Sequence, residues 1–149
     1  MSIWKPHVTV AAIVEREGRF LMVEEHTVEG VRLNQPAGHL DEGESLIAAC
    51  VREALEETAH HVQVDSLVGI YQWPRPSGDI TYLRFAFACS DLGEEAGRAL
   101  DEGIIRAVWL SHAELVAQPE RHRSPMIMRC IEDYLAGRRF PLDLIRHYE

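Results

Sequence analysis

Residues 38–60 read Gly38-His-Leu-Asp-Glu-Gly-Glu44-Ser-Leu-Ile-Ala-Ala-Cys-Val-Arg52-Glu53-Ala-Leu-Glu56-Glu57-Thr-Ala-His60. From Ser45 to Thr58 the pattern is helical. At about 100° per residue, Ile47, Cys50, Val51, Ala54 and Leu55 share one broad apolar arc. Glu53, Glu56 and Glu57 stand on a neighbouring arc about 100° wide, at i, i+3 and i+4. Arg52 lies four residues before Glu56, within pairing reach. A solvated face is the ordinary reading of glutamates on a helix, but it fits poorly here. Like charges at these spacings each cost roughly 0.2–0.5 kcal/mol. Glu56 and Glu57 also fall in the last turn, the negative end of the helix dipole. No lysine follows Lys5, so Arg52 is the one nearby cation. Carboxylates gathered against both local rules point to a site where a bound cation relieves their repulsion. Oxygen-only donors favour Mg²⁺, or Mn²⁺, over zinc.

Around this segment the pattern turns to strands. Residues 7–14 are β-branched and apolar, residues 15–18 a turn, and residues 19–23 a returning strand, so the chain opens on a hairpin. Residues 24–33 read as a loop or a short edge strand, and residues 34–38 as a short extended piece. After the helix, strands are expected over 62–73, 80–89 and 104–110. A turn rich in Pro and Gly fills 74–79, and an acidic surface loop fills 90–103. Ser111 and Glu114 have the spacing of a capping box that starts a short helix. A last helix runs from Ser124-Pro125 to Ala136 and stops at Gly137. Trp4 and Trp109 read as core or edge packing, and Cys50 and Cys89 as small buried hydrophobes. This order predicts an α+β fold with a mixed sheet packed between helices.

Composition bounds the rest. A length of 149 residues suits one domain, expected to span 1–149. No window approaches the roughly 18 consecutive apolar residues of a membrane span, and no signal-peptide pattern opens the chain. Three cysteines without a CxxC exclude a disulfide framework and a cysteine zinc site, and suit a reducing cytoplasm. A net charge of −9 disfavours long nucleic acids as partners. It leaves room for a small phosphorylated substrate if cations bridge it to carboxylates. Monomer and homodimer both remain open.

The quoted segment also resembles the Nudix box, Gly-x5-Glu-x7-Arg-Glu-U-x-Glu-Glu-x-Gly-U, where U is a bulky aliphatic residue. Gly38, Glu44, Arg52, Glu53, Glu56 and Glu57 match with every internal spacing intact. Ala54 stands at the first aliphatic position, Ala59 replaces the final glycine, and His60 the final aliphatic residue. Those last two bear on the exit turn, because alanine tolerates a left-handed cap less well than glycine. Beyond the box, Lys5-Pro-His-Val-Thr-Val10, Asn34-Gln-Pro-Ala-Gly-His-Leu40, Gln72-Trp73, Leu83-Arg-Phe85, Arg123-Ser-Pro125 and the tail from Gly137 to Leu142 resemble the NudJ-type phosphatase branch.

The resemblance implies the Nudix fold, an α/β/α sandwich, and a Mg²⁺-dependent hydrolase. The bonds cleaved would be phosphate–phosphate bonds of nucleoside tri- and diphosphates and of hydroxymethylpyrimidine pyrophosphate, with release of phosphate. It implies Glu53, Glu56 and Glu57 as metal ligands, a bend and a ligand carbonyl from Gly38, and Arg52 as the group orienting Glu56. Glu44 reads equally as part of the outer site or as an acid favouring the helix N-terminus. Candidates for the general base are Glu56, Glu57, Asp101 and Glu102, although a solvated loop is the plainer reading of Asp101-Glu102. Arg84, set in an apolar strand, meets either a phosphate or a structural acid. Arg123 near a helix start and Trp73 as a stacking surface complete the substrate candidates; a solvated cap and core packing are their plain readings. His7 and His39 flank the expected site.

Two other functions compete. One is an ADP-ribose or dinucleoside polyphosphate pyrophosphatase, which the prolines at 74 and 76 would fit, although Trp-Pro is also a plain strand terminator. The other is a nucleotide-binding module without catalysis, but such modules show gaps among the box acids, and here the box acids are all present.

Overall fold

The computed structural model describes residues 2–149. Its order is β1 (His7–Arg16), β2 (Arg19–Thr27), β3 (Gly30–Asn34), β4 (Ala37–His39), α1 (Leu46–Thr58), β5 (His60–Pro74), β6 (Thr81–Glu94), β7 (Ile104–Ser111), α2 (His112–Val116) and α3 (Met126–Leu135). The strands form one mixed sheet in the order β3-β2-β1-β6-β5, with β4 added on β1 and β7 on β2. β1 and β6 run parallel, while the other pairs are antiparallel.

Alternation along β1 sorts the core into two layers, because successive side chains point to opposite faces. Ala11 and Ile13 join Phe20, Met22 and Val68 beneath Leu115, Ile127, Cys130 and Ile131 of α2 and α3. Val10, Ala12 and Val14 join Leu21, Leu67 and Phe87 beneath Ala49, Cys50 and Ala54 of α1. Helices therefore cover both faces, as the sequence predicts.

Several boundaries differ from the sequence reading. β2 continues to Thr27 and β3 returns to Asn34, so of the two readings of residues 24–33 the edge strand holds and the loop does not: they form a second hairpin with β3 at the edge of the sheet. Their polar side chains find ion pairs instead of a core: Glu24 with Arg106 and Arg121, and Glu25 with Arg123. β6 runs to Glu94 because its polar end pairs with residues 60–63, which leaves only 95–103 as loop. Trp4, expected at a core or edge, is 70% exposed. Pro125 caps α3 rather than opening it. The capping box at Ser111 and Glu114 forms with both of its hydrogen bonds.

α1 starts at Ser45, whose hydroxyl accepts from the Ala48 N–H, and ends at Ala59 in the left-handed region at φ 62°. Alanine there costs about 1–2 kcal/mol. The turn is held from both sides: Ala59 donates to the Leu55 carbonyl, and its own carbonyl accepts from Glu95 N–H at 2.7 Å.

Candidate active site

The acidic arc of α1 meets β4 on one side and the 95–103 loop on the other. Antiparallel pairing of β4 with β1 sets Gly38 opposite Val10. A Cβ added at Gly38 would land on the Glu53 carboxyl group. The glycine is therefore there to let Glu53 lie against the strand, and no left-handed conformation is involved. Glu53 is 9% exposed. On the other side, Asp101 N–H donates to the Glu56 carbonyl at 3.0 Å, fastening the loop to the end of α1. Oxygens of Glu53, Glu56 and Asp101 then lie within 4.8 Å of one another.

Arg52 organises this group. Its Nε and Nη2 donate to the two Glu44 oxygens, both at 2.8 Å. Nη1 donates to Glu53 at 2.8 Å and to Glu56 at 3.1 Å, and Nη2 also to the His39 carbonyl at 3.0 Å. All five N–H donors of the guanidinium are thus engaged within the protein. Glu44 anchors Arg52, and the same bonds hold its own carboxyl below the usual range.

Glu57 is not among those three converging acids. Its carboxylate accepts from the Ala37 N–H at 2.9 Å. Burial, only partly offset by that bond, and repulsion from Glu53, Glu25 and Asp101 push its pKa up to about 8. Burial likewise raises Glu53, against the pull of Arg52. Keeping Glu57 ionised at neutral pH costs the bare protein on the order of a few kcal/mol, each pH unit of displacement being worth about 1.4 kcal/mol. A cation that binds there relieves the same cost.

The remaining candidates fall around this centre. Asp101 and Glu102 are both exposed, as in a solvated loop, yet an oxygen of Asp101 lies beside those of Glu53 and Glu56. Arg84 is a correction: it is 4% exposed and meets neither solvent nor an acid. It donates to Gln35 at 2.8 Å and Asn34 at 3.0 Å, and its Nε has no partner among the described residues. Gln35 in turn donates to the Ile127 carbonyl, so Arg84 secures the approach to β4 from below. Arg123 is half exposed and pairs with Glu25 at 2.7 Å. Trp73 stacks on Tyr82, with ring centroids 6.0 Å apart, and lines a cavity of about 370 Å³ with Tyr71, Met126 and Arg129. His7 and His39 share a 3.0 Å ring-nitrogen contact beside Gly38. Pro74 ends β5 and Pro76 lies in the turn that follows.

Sequence reasoning missed Glu25, and it singled out His60 only for its place in the exit turn. Glu25, only 8% exposed, sits in a polar stretch read as a loop or a short edge strand. His60 is 3% exposed and stands between two carboxylates. Its imidazole at an aliphatic position of the motif was the available signal.

The fold and this acidic constellation define a Nudix domain, and a family model of that description matches residues 5–129. The chain belongs to the Nudix hydrolase family, whose members act on phosphoric anhydride bonds. It is 41% identical over 144 residues to Phosphatase NudJ of Escherichia coli strain K12, covering 96% of this chain and 92% of that protein. A solved Nudix hydrolase from Nitrosomonas europaea superimposes with a TM-score of 0.94 at 50% identity, covering 97% of this chain and 98% of its own. A MutT Nudix hydrolase from Burkholderia pseudomallei, at 19% identity and a TM-score of 0.75, covers 87% of this chain and 98% of its own and shares the fold. Among the described residues no helix is long and apolar enough to cross a membrane.

Two outcomes follow from the geometry. Gly38→Ala should displace the Glu53 carboxyl without straining the strand. Turnover and Mn²⁺ binding should fall about 100-fold, the upper range for a disturbed metal shell, while the melting temperature stays near that of the parent protein. Unchanged Mn²⁺ binding would contradict the close fit. The second outcome concerns pH. The folded-state pKa of Glu57 lies above its ordinary 4.5, so its contribution to stability is full below 4.5 and is lost as pH rises through about 8. In metal-free buffer the melting temperature should fall from pH 5 to 8 more steeply than that of Glu57→Gln. Parallel curves for the two proteins would show that Glu57 carries no such strain.

Proposed function

We propose that the whole chain, 1–149, works as one Mg²⁺-dependent Nudix hydrolase domain. Its substrates are nucleoside tri- and diphosphates and hydroxymethylpyrimidine pyrophosphate, cleaved with release of phosphate. The observation that carries the metal-dependent reading is the convergence of Glu53, Glu56 and Asp101 oxygens within 4.8 Å on one edge of α1. The kinship with Phosphatase NudJ over nearly the full chain supports the phosphatase assignment.

The donor set fits Mg²⁺, or Mn²⁺, because it consists of hard oxygens with too little protein charge to balance them. Glu53, Glu56 and Asp101 would hold the ion, with Glu57 and the Gly38 carbonyl adjoining. When bound, the ion lowers the pKa of a coordinated water and offsets phosphate charge. The protein's own part is largely positioning. Arg52 fixes Glu53 and Glu56, and Glu44 fixes Arg52. Glu57, with one oxygen occupied by the Ala37 N–H, keeps its other oxygen to take the proton of the attacking water. Arg123, half exposed beside His39 and Glu25, is placed to meet a phosphate. Trp73, with the cavity beside it, offers a flat surface to a pyrimidine or base. Arg84 serves substrate indirectly, by holding Asn34 and Gln35.

The test is a product assay with Mg²⁺ on nucleoside di- and triphosphates, ADP-ribose, diadenosine polyphosphates and hydroxymethylpyrimidine pyrophosphate. Inorganic phosphate should come from the first and last groups at the highest kcat/KM. Glu57→Gln should lose that release while melting cooperatively. Nucleoside monophosphate from ADP-ribose or a dinucleotide as the favoured product would replace the substrate assignment. Near-normal turnover in Glu57→Gln would remove Glu57 as the base.

A further inference from the structure

His60 follows the left-handed Ala59 at the exit of α1, and its ring is almost fully buried. Nδ1 lies 3.0 Å from Asp91 Oδ1 and Nε2 lies 3.3 Å from Glu94 Oε2. Carboxylates only accept, so the Nδ1–H donates to Asp91, and Nε2 lies alongside the Glu94 carboxylate. The other surroundings close the ring in. Its backbone N–H donates to Thr58 Oγ1, and Trp109 of β7 meets it edge-on with centroids 5.6 Å apart. The Arg16 guanidinium covers the Trp109 ring at 4.1 Å and reaches Asp91 at 3.4 Å.

What the imidazole grips is the far end of β6. Glu94 is the last residue of that strand, and the next residue, Glu95, donates its N–H to the Ala59 carbonyl. From there the 95–103 loop runs to Asp101, whose N–H caps the Glu56 carbonyl. The loop is thus pinned to α1 at two points, and the first pin sits next to the His60 bracket. A bulky aliphatic residue at position 60, as the box pattern has it, could pack on Trp109 but could not hold Asp91 and Glu94.

We propose that His60 is a positioning residue. Its bracket between Asp91 and Glu94 locks the start of β5 to the end of β6, and so delivers Asp101 to Glu53 and Glu56. In this chain an imidazole clamp takes over the exit turn of the box, where glycine and an aliphatic residue are replaced by Ala59 and His60. The part concerning metal rests on the function proposed above, in which Asp101 helps to hold the ion.

Two readouts separate the clamp from that function. Hydrogen exchange on the full-length protein without metal reports the amides of 95–103, and calorimetric titration with MnCl₂ reports the ion. His60→Leu, and Glu94→Gln as a variant altering only an exposed arm, should speed exchange over 95–103 at least tenfold while residues 46–55 stay protected. Mn²⁺ affinity should drop about tenfold, the scale of a lost supporting contact. His60→Leu combined with Asp101→Asn should bind no more weakly than Asp101→Asn alone, because both changes remove the same ligand. Exchange over 95–103 within twofold of the parent in both variants would overturn the clamp, whatever the metal does. If the parent protein takes up no Mn²⁺, the metal-dependent function falls, and the exchange rates alone then uphold or overturn the clamp.

Discussion

The Arg52 guanidinium is the constraint on which the site depends. It is the one cation within the acidic face of α1, and each of its five donors is satisfied by Glu44, Glu53, Glu56 or the His39 carbonyl. A planar fork of this kind fixes direction as well as charge. It aligns Glu53 and Glu56 on the helix, ties the helix to the strand that ends at His39, and leaves no donor for anything else. Its role is to build the site rather than to touch a substrate. One positive charge also falls short of the acids around it. Burial and mutual repulsion leave Glu53 and Glu57 uncomfortable as carboxylates, which is the state a divalent cation relieves.

The fold supplies this arrangement by pressing three separate segments together. β4 is short, and its glycine lets the Glu53 carboxyl pack where any side chain would collide. The apolar arc of α1 seats on the sheet through Ala49, Cys50 and Ala54, small residues that bring the helix close. The loop after β6 reaches the end of α1 and brings Asp101 with it. Beneath, Arg84 holds Asn34 and Gln35 without an acid of its own, so a buried charge is committed to shaping the approach to β4.

What could be read from the sequence is what local spacing encodes. The apolar arc of residues 47–55, the alternation of residues 7–14 and the capping box at Ser111 each carry their geometry within a few residues, and each formed as expected. The family of the chain was legible for the same reason, since the box is a set of fixed spacings. What escaped was set by distant partners. Residues 24–33 could be read only as a loop or a short edge strand, because their polar side chains are matched by arginines some 80 to 100 positions away. Asp101 is exposed, and only the folding of its loop back onto α1 brings it beside Glu53 and Glu56. Arg84 looks ready for a phosphate, yet the amides of Asn34 and Gln35 occupy it.

The proposed function turns on a divalent cation held among the oxygens of Glu53, Glu56 and Asp101. Crystals grown with Mn²⁺ and recorded near the manganese absorption edge test it most directly. An anomalous peak is expected, bonded to carboxylate oxygens of at least two of these residues, at about 2.0–2.3 Å as hard oxygen ligation requires. A map with no peak there, from protein that still turns over after exhaustive chelation, would contradict it.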